Sequence, residues 1–451
     1  MQNTERISHP STSSRSPLDK ILDAAPVFLA LILGLIPQML FSSPQYCAKP
    51  RMWAFSLCLL LAWRVFPNRF KGPGKLSKCA IAGLLIAHLS SLIGGLLHGV
   101  SLGTVSYQLV QGLIALIGLS VIVATFLQPR WWKTGKITAA WMLGSMFVIS
   151  YFCYFLAIDQ LIPMGHNTKY FEPTRLVLIW PLRIWGGQIG WEHANHAAFV
   201  FAVGMVMIFE YLAVQKAKRA WPWWLLALGL GTAVFLTGSR SAWLMLLAAI
   251  PLVLFRRQKP FLIPAVAVLG GVLACGVLSL HVKETLMARS SERAIEKNLT
   301  SPTTPAPTRD IHLEGLVERG SAGRLSAYRT FWNEFQDSKI FGRGLSATGK
   351  PIVQLMHEHS SYLATFRGGG FIALAGHLLT LAAALLAASI LFIRGCRWPL
   401  TLLVVILPGL LFDRGNVFLM SGRYEFVFHW VAVIAPFLII ASKSDPIPAK
   451  N

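Results

Sequence analysis

The chain has 451 residues, of which 54% are hydrophobic and only 13% charged, with a formal net charge of +22 and a mean hydropathy of +0.56. A soluble domain usually carries about 25% charged residues, and here the apolar content falls in blocks of roughly 20, the length that crosses a bilayer as a helix. Those values exclude a soluble globular protein and predict an all-α integral membrane protein; without a basic helix or aromatic platform, the positive charge reads as a topology signal rather than a nucleic-acid footprint.

Taken in chain order, the first 20 residues are polar and Ser-rich, with no cleavable signal pattern, so the first apolar segment is expected to insert and stay. Predicted spans cover about 25–41, 52–66, 79–99, 104–127, 138–158, 196–214, 222–237, 241–255, 261–280, 371–393, 399–412 and 425–441. That is about twelve transmembrane helices. Basic residues fall after alternate spans: Lys71, Lys75 and Lys78, then Arg130 and Lys133, then Lys216 and Lys218, then Arg256 and Arg257, then Arg394 and Arg397. Simple alternation puts all of them on one side, which the positive-inside rule makes cytoplasmic, together with both termini. Expected units are an N-terminal bundle over 1–280, an extracytoplasmic loop over 281–358 and a C-terminal bundle over 359–451. The six cysteines (Cys47, Cys58, Cys79, Cys153, Cys275 and Cys396) are scattered without a CxxC, so neither a disulfide framework nor a zinc site is indicated.

Two long connections face the opposite side. The first, 159–195, interleaves Arg183, His193 and Asn195 with Trp180, Trp185 and Trp191, and leads into His196; the tryptophans fit an interfacial belt. The second runs for about 80 residues to His359, and loops of that length are usually functional. Inside it, VKETLMARSSERAIEKNL reads as an amphipathic helix and SPTTPAPT as a linker that no helix can continue through. Then AGRLSAYRTFWNEFQDS reads as a second helix with Leu325, Tyr328, Trp332 and Phe335 on one face, followed by the glycine-rich turn IFGRGLSATG.

Three stretches on that side carry candidate chemistry. TGSRSAW holds Arg240 in a very short turn, on the side where short loops otherwise avoid cations, which suits an anion site. Arg324 stands at the start of a predicted helix and Arg329 about a turn later, where free N–H groups attract phosphate. HEHSSYLATFRGGG supplies His359 as a general base, Arg367 at the bilayer edge, and Gly368–Gly370 as a break or a close backbone approach. His88, His377 and His429 lie within spans at no spacing that specifies a cofactor, and mid-membrane carboxylates of the kind a proton-coupled transporter uses are scarce, Glu210 lying near a span end.

In order, TGSRSAW, AGRLSAYRTFW…IFGRGLS and HEHSSYL…GGGFIAL resemble the O-antigen ligase and polymerase superfamily, and HANHAAF resembles that family's element entering an earlier span. The resemblance covers roughly residues 185–393, with Ser360 where the family usually has Asn and Ala194 where it commonly has Pro. It implies a GT-C-type, metal-independent, inverting glycosyltransferase with no cofactor. Such an enzyme moves a polysaccharide from undecaprenyl diphosphate to lipid A–core, with polymerase or protein-acceptor activity as the alternative. It further implies Arg240, Arg324 and His359 as catalytic residues, with Arg329, Tyr328, Arg183, Asn195, His196, Tyr362 and Arg367 around the substrates.

Overall fold

The computed structural model describes residues 16–29, 53–158, 179–184, 187–190, 194–214, 220–255, 257–298, 332–333, 335–344, 360–412 and 424–442. In chain order the helices are α1 (Pro17–Leu29), α2 (Ala62–Arg69), α3 (Lys75–Leu97), α4 (Leu102–Phe126), α5 (Pro129–Ile158), α6 (Ala194–Val214), α7 (Trp221–Thr237), α8 (Arg240–Leu254), α9 (Lys259–Asn298), α10 (Ser361–Ile393), α11 (Trp398–Phe412) and α12 (Tyr424–Ala441). Between α5 and α6 lies an antiparallel hairpin of β1 (Ile179–Ile184) and β2 (Gly187–Gly190), an exception to the all-α expectation. Among the described residues, five helical stretches are long and apolar enough to cross a membrane: Lys75–Leu97, Leu102–Phe126, Ala197–Val214, Lys259–Arg289 and Ser361–Ile393. The molecule is a multi-pass helical membrane protein.

Lipid is as apolar as leucine, so burial of apolar surface does not hold such helices together; close packing and hydrogen bonds do. α3 and α10 run antiparallel with their backbones almost touching, because small residues line both facing edges. Ala80, Gly83, Ala87 and Ser91 on α3 face Ala373, Gly376, Thr380 and Gly369 on α10. A Cβ on Gly83 would stand 2.5 Å from the Gly376 carbonyl oxygen. Two hydrogen bonds cross the seam, from Ser90 Oγ to Gly369 O (2.6 Å) and from Thr380 Oγ1 to Ala80 O (3.1 Å).

The end of the bundle where α6, α8 and α10 finish is fixed by a buried carboxylate. Glu210, 3% exposed, accepts from Arg257 Nη2 and from Thr401 Oγ1, each at 2.8 Å. Arg257 also donates through Nε to Val253 O, and Arg397 donates to Phe255 O, both at 2.8 Å. The last turn of α6, the α8–α9 connection and the first turn of α11 therefore meet on one charge that would be costly to bury alone. At the same end Lys71 N donates to Ala441 O (2.7 Å), tying the α2–α3 connection to α12.

α9 is one helix of 40 residues. It passes straight through the expected bundle–loop junction at 280, because residues 277–298 contain neither Gly nor Pro to stop it. The predicted amphipathic segment is thus the outward continuation of a span.

Candidate functional site

The opposite end of the bundle, where α8 and α10 begin, gathers the chemistry. α7 stops because Gly238 takes a left-handed conformation (φ 61°), a helix C-cap favoured by glycine. One residue later Ser239, with β-region backbone, starts α8, and Arg240 is its first helical residue. The turn is braced from within. Thr237 Oγ1 donates to Val234 O (2.7 Å) and accepts from Ser239 N (3.2 Å), and the Ser239 and Ser241 hydroxyls lie 3.0 Å apart. Ser239 and Ser241 are buried while Arg240 is exposed, so the sequence SRS turns its serines inward and its arginine outward at a helix N-terminus.

The glycine run expected as a break is a sharp reversal. Gly369 (φ −141°, ψ 15°) and Gly370 (φ 65°, ψ −161°) interrupt α10, leaving 361–368 as a short arm and 371–393 as the membrane-length part. Tyr362 and His377 are fifteen positions apart, which a straight helix would spread over about 22 Å. Their ring centroids lie 6.0 Å apart, so the arm folds back along the span. Tyr362 is therefore half-buried against the core, and Arg367 sits at the tip of the fold.

The end of the long loop clasps this reversal. Arg343 N donates to Arg367 O (2.8 Å), Gly344 N to Gly368 O (2.9 Å) and Phe371 N to Lys339 O (2.7 Å). Gly342 (φ 66°) and Gly344 (φ 83°) take left-handed backbone, and Cβ atoms there would enter the backbones of Arg367 and of Gly95 on α3. Trp332 stacks on Phe366 (5.9 Å), Phe366 meets Phe371 edge-on (4.8 Å), and Phe335 is 2% exposed beneath them. The apolar face expected of Trp332 and Phe335 thus packs on the arm.

Below the arm lies a feature that spacing did not reveal. His88 on α3, His377 on α10 and His429 on α12 converge, with the His377 and His429 centroids 5.5 Å apart. Nδ1 of His88 donates to Leu84 O (2.9 Å), and Nε2 of His88, of His377 and of His429 has no hydrogen-bond partner among the described residues. A cavity of about 10 Å³, room for one water, is lined by His88, Thr365, His377, Thr380 and Trp430. No group of three or more His, Cys, Asp or Glu among the described residues could hold a metal ion. Only the helical period of each span, combined across three spans, could have foretold the convergence.

Arg240, Tyr362 and Arg367 share this end of the bundle. So do the backbones of Asn195 and His196 in the first turn of α6. Arg183 pairs with Gln188 across the hairpin. Arg324, Tyr328, Arg329 and His359 lie outside the described residues; His359 directly precedes Ser360, the N-cap of α10.

Fold and site together define a multi-pass helical membrane protein with arginines and a folded-back arm at one end. Residues 224–378 match the O-antigen ligase family model, a stretch running from α7 to the turn of α10 that bears His377. The match supports assignment of the chain to the O-antigen ligase family. No curated protein matches the chain.

Proposed function

We propose that this protein is a glycosyltransferase that ligates O-antigen polysaccharide from undecaprenyl diphosphate onto lipid A–core on the periplasmic side of the inner membrane. The observation carrying the reading is the family match over 224–378, which brackets Arg240 and the clasped reversal at one end of the bundle. The donor is already activated by its diphosphate, so the enzyme's task is to hold the leaving group and prime the acceptor. Arginine suits the first task because its planar fork binds phosphate bidentately and stays charged. Arg240, exposed at a helix start, and Arg324 take it, with Arg329 in support. His359 takes the proton from the acceptor hydroxyl as that oxygen bonds to the anomeric carbon. The bond from that carbon to the diphosphate oxygen breaks, and a single displacement inverts configuration. No step calls on a metal.

The test is to incubate purified protein with polyprenyl-diphosphate glycan and separate acceptors, and to identify by mass which acceptor gains polymer. Growth of lipid A–core supports ligation, whereas growth of the glycan itself or of a protein assigns a polymerase or protein-acceptor enzyme instead. Without any covalent product the reading fails. His359→Ala should lower transfer by about 10²–10⁴-fold while the protein stays folded. Arg240→Lys keeps the charge but loses the fork, and should also be strongly impaired.

A further inference from the structure

The end of the bundle anchored by Glu210 holds more hydrogen-bond donors than it has acceptors. Lys136, two turns into α5, is half-buried, with Nζ 5.1 Å from the ring centroid of Trp132 and 4.8 Å from that of Tyr211 on α6. Trp398, which opens α11, lies 5.9 Å from Trp132, and Trp223 at the start of α7 lies 4.6 Å from Tyr211. Four helices thus set aromatic rings about one ammonium, whose charge the ring faces attract. The rings fix its place but leave its three N–H donors without an oxygen. Nε1 of Trp398 and Nε2 of Gln128 are buried and have no hydrogen-bond partner among the described residues. Gln128 belongs to the same spot, because its carbonyl accepts from Trp132 N (2.9 Å). Buried donors left unpaired are costly. The chain offers little to pair them: no Asp or Glu occurs in 128–158, 211–255 or 391–412, and Glu210 is engaged by Arg257 and Thr401. Among the described residues Lys136 has no carboxylate partner.

We infer that Gln128, Lys136 and Trp398, grouped around Trp132, bind the phosphodiester headgroup of an anionic phospholipid from the leaflet at this end. A phosphodiester brings one negative charge and two unesterified oxygens, enough to accept from the ammonium and from two neutral N–H groups. Lysine and tryptophan at headgroup depth suit that position in a bilayer. The acyl chains need an apolar track from the headgroup toward mid-membrane, and α5 supplies one. Ile137, Trp141, Val148 and Phe152 fall on one helical face that starts beside Lys136, each more than half exposed. The site lies at the end of the bundle opposite Arg240 and stands whether or not the transferase reading does.

Native mass spectrometry of the purified full chain, titrated with phosphatidylglycerol, phosphatidylcholine and glycerol phosphate, tests this. The expected Kd for phosphatidylglycerol is about tenfold or more below that for phosphatidylcholine, whose choline cancels the phosphate charge. Lys136→Gln should raise the phosphatidylglycerol Kd by about tenfold or more, and Trp398→Phe, which keeps a ring but deletes the N–H, by about threefold or more. Lys133→Gln removes the same charge from an exposed position one turn away, and should change it by less than about twofold. If phosphatidylcholine binds as tightly, or if Lys133→Gln weakens binding as much as Lys136→Gln, the attraction is diffuse and the site does not exist. Displacement of phosphatidylglycerol by equimolar glycerol phosphate would also overturn the lipid assignment, since a free phosphate ester would then suffice. Should Lys136→Gln fail to fold, Trp398→Phe and Gln128→Leu decide: wild-type affinity in both overturns the proposal, and weakened affinity in either supports it.

Discussion

Replacing Gly370 with alanine should unfasten the long loop from the membrane bundle without unfolding the bundle. Gly370 holds φ 65° and ψ −161°, a region open essentially to glycine, and forcing a side chain into it costs about 1–3 kcal/mol. The added Cβ would also lie closer than 3.0 Å to the backbones of Lys339 and Ile340, which have nowhere to go. Relief comes by parting the clasp, which surrenders the bonds from Arg343, Gly344 and Phe371, at about 1 kcal/mol each. Those bonds are surrendered on opening in the wild type as well, so the shift is set by the strain of about 1–3 kcal/mol, which raises the opened population by about 5- to 150-fold. Brief trypsin treatment in detergent, read by mass spectrometry, should show cleavage after Lys339 and Arg343 accelerating steeply, since cutting of an opened segment tracks its population. Gly395→Ala is the control: Gly395 also has positive φ (93°), but nothing lies within 4 Å of its would-be Cβ. Equal cleavage in wild type, Gly370→Ala and Gly395→Ala would refute the reasoning.

Other outcomes follow from the same geometry. Arg257→Ala leaves the Glu210 carboxylate buried with Thr401 as its one donor among the described residues, and should destabilise by about 3–5 kcal/mol. Thr401→Val should lose about 1 kcal/mol. Thermal unfolding in detergent ranks the two, and the reverse order would remove Glu210 as the anchor. Burial, and secondarily the Glu210 charge, push the Cys396 thiol up to about 11, so a single-cysteine protein should label with maleimide about tenfold faster per pH unit up to that value. A flat profile between pH 7 and 10 would contradict it.

Much of the bundle was legible because apolar runs of membrane length announce themselves: the predicted spans at 79–99, 104–127, 222–237 and 241–255 overlie α3, α4, α7 and α8. Turns were legible where one residue type dictates backbone, as at Gly238 before Arg240 and at the glycines of α10. What spacing cannot convey is contact between distant segments. Arg343 looked like part of a loop turn, and only its backbone bond to Arg367 makes it a neighbour of the candidate site. His88, His377 and His429 are unremarkable singly and meet only through the α3–α10–α12 packing. The strand pair 179–184 and 187–190 escaped notice because Trp180 read as part of an interfacial belt and the second strand, GQIG, has little strand propensity.

The glycine-lined seam between α3 and α10 has a bearing on how the protein can diverge. With Gly83 and Gly376 each presenting bare backbone to the other's carbonyl, neither helix has rotational slack. Inserting one residue upstream within α3 would swing everything beyond it by about 100° and drive side chains into the opposing chain. Length variation among descendants should therefore collect outside this pair, in the projecting stretch of α9, where an extra residue merely lengthens a rod, while the register of α3 against α10 stays frozen.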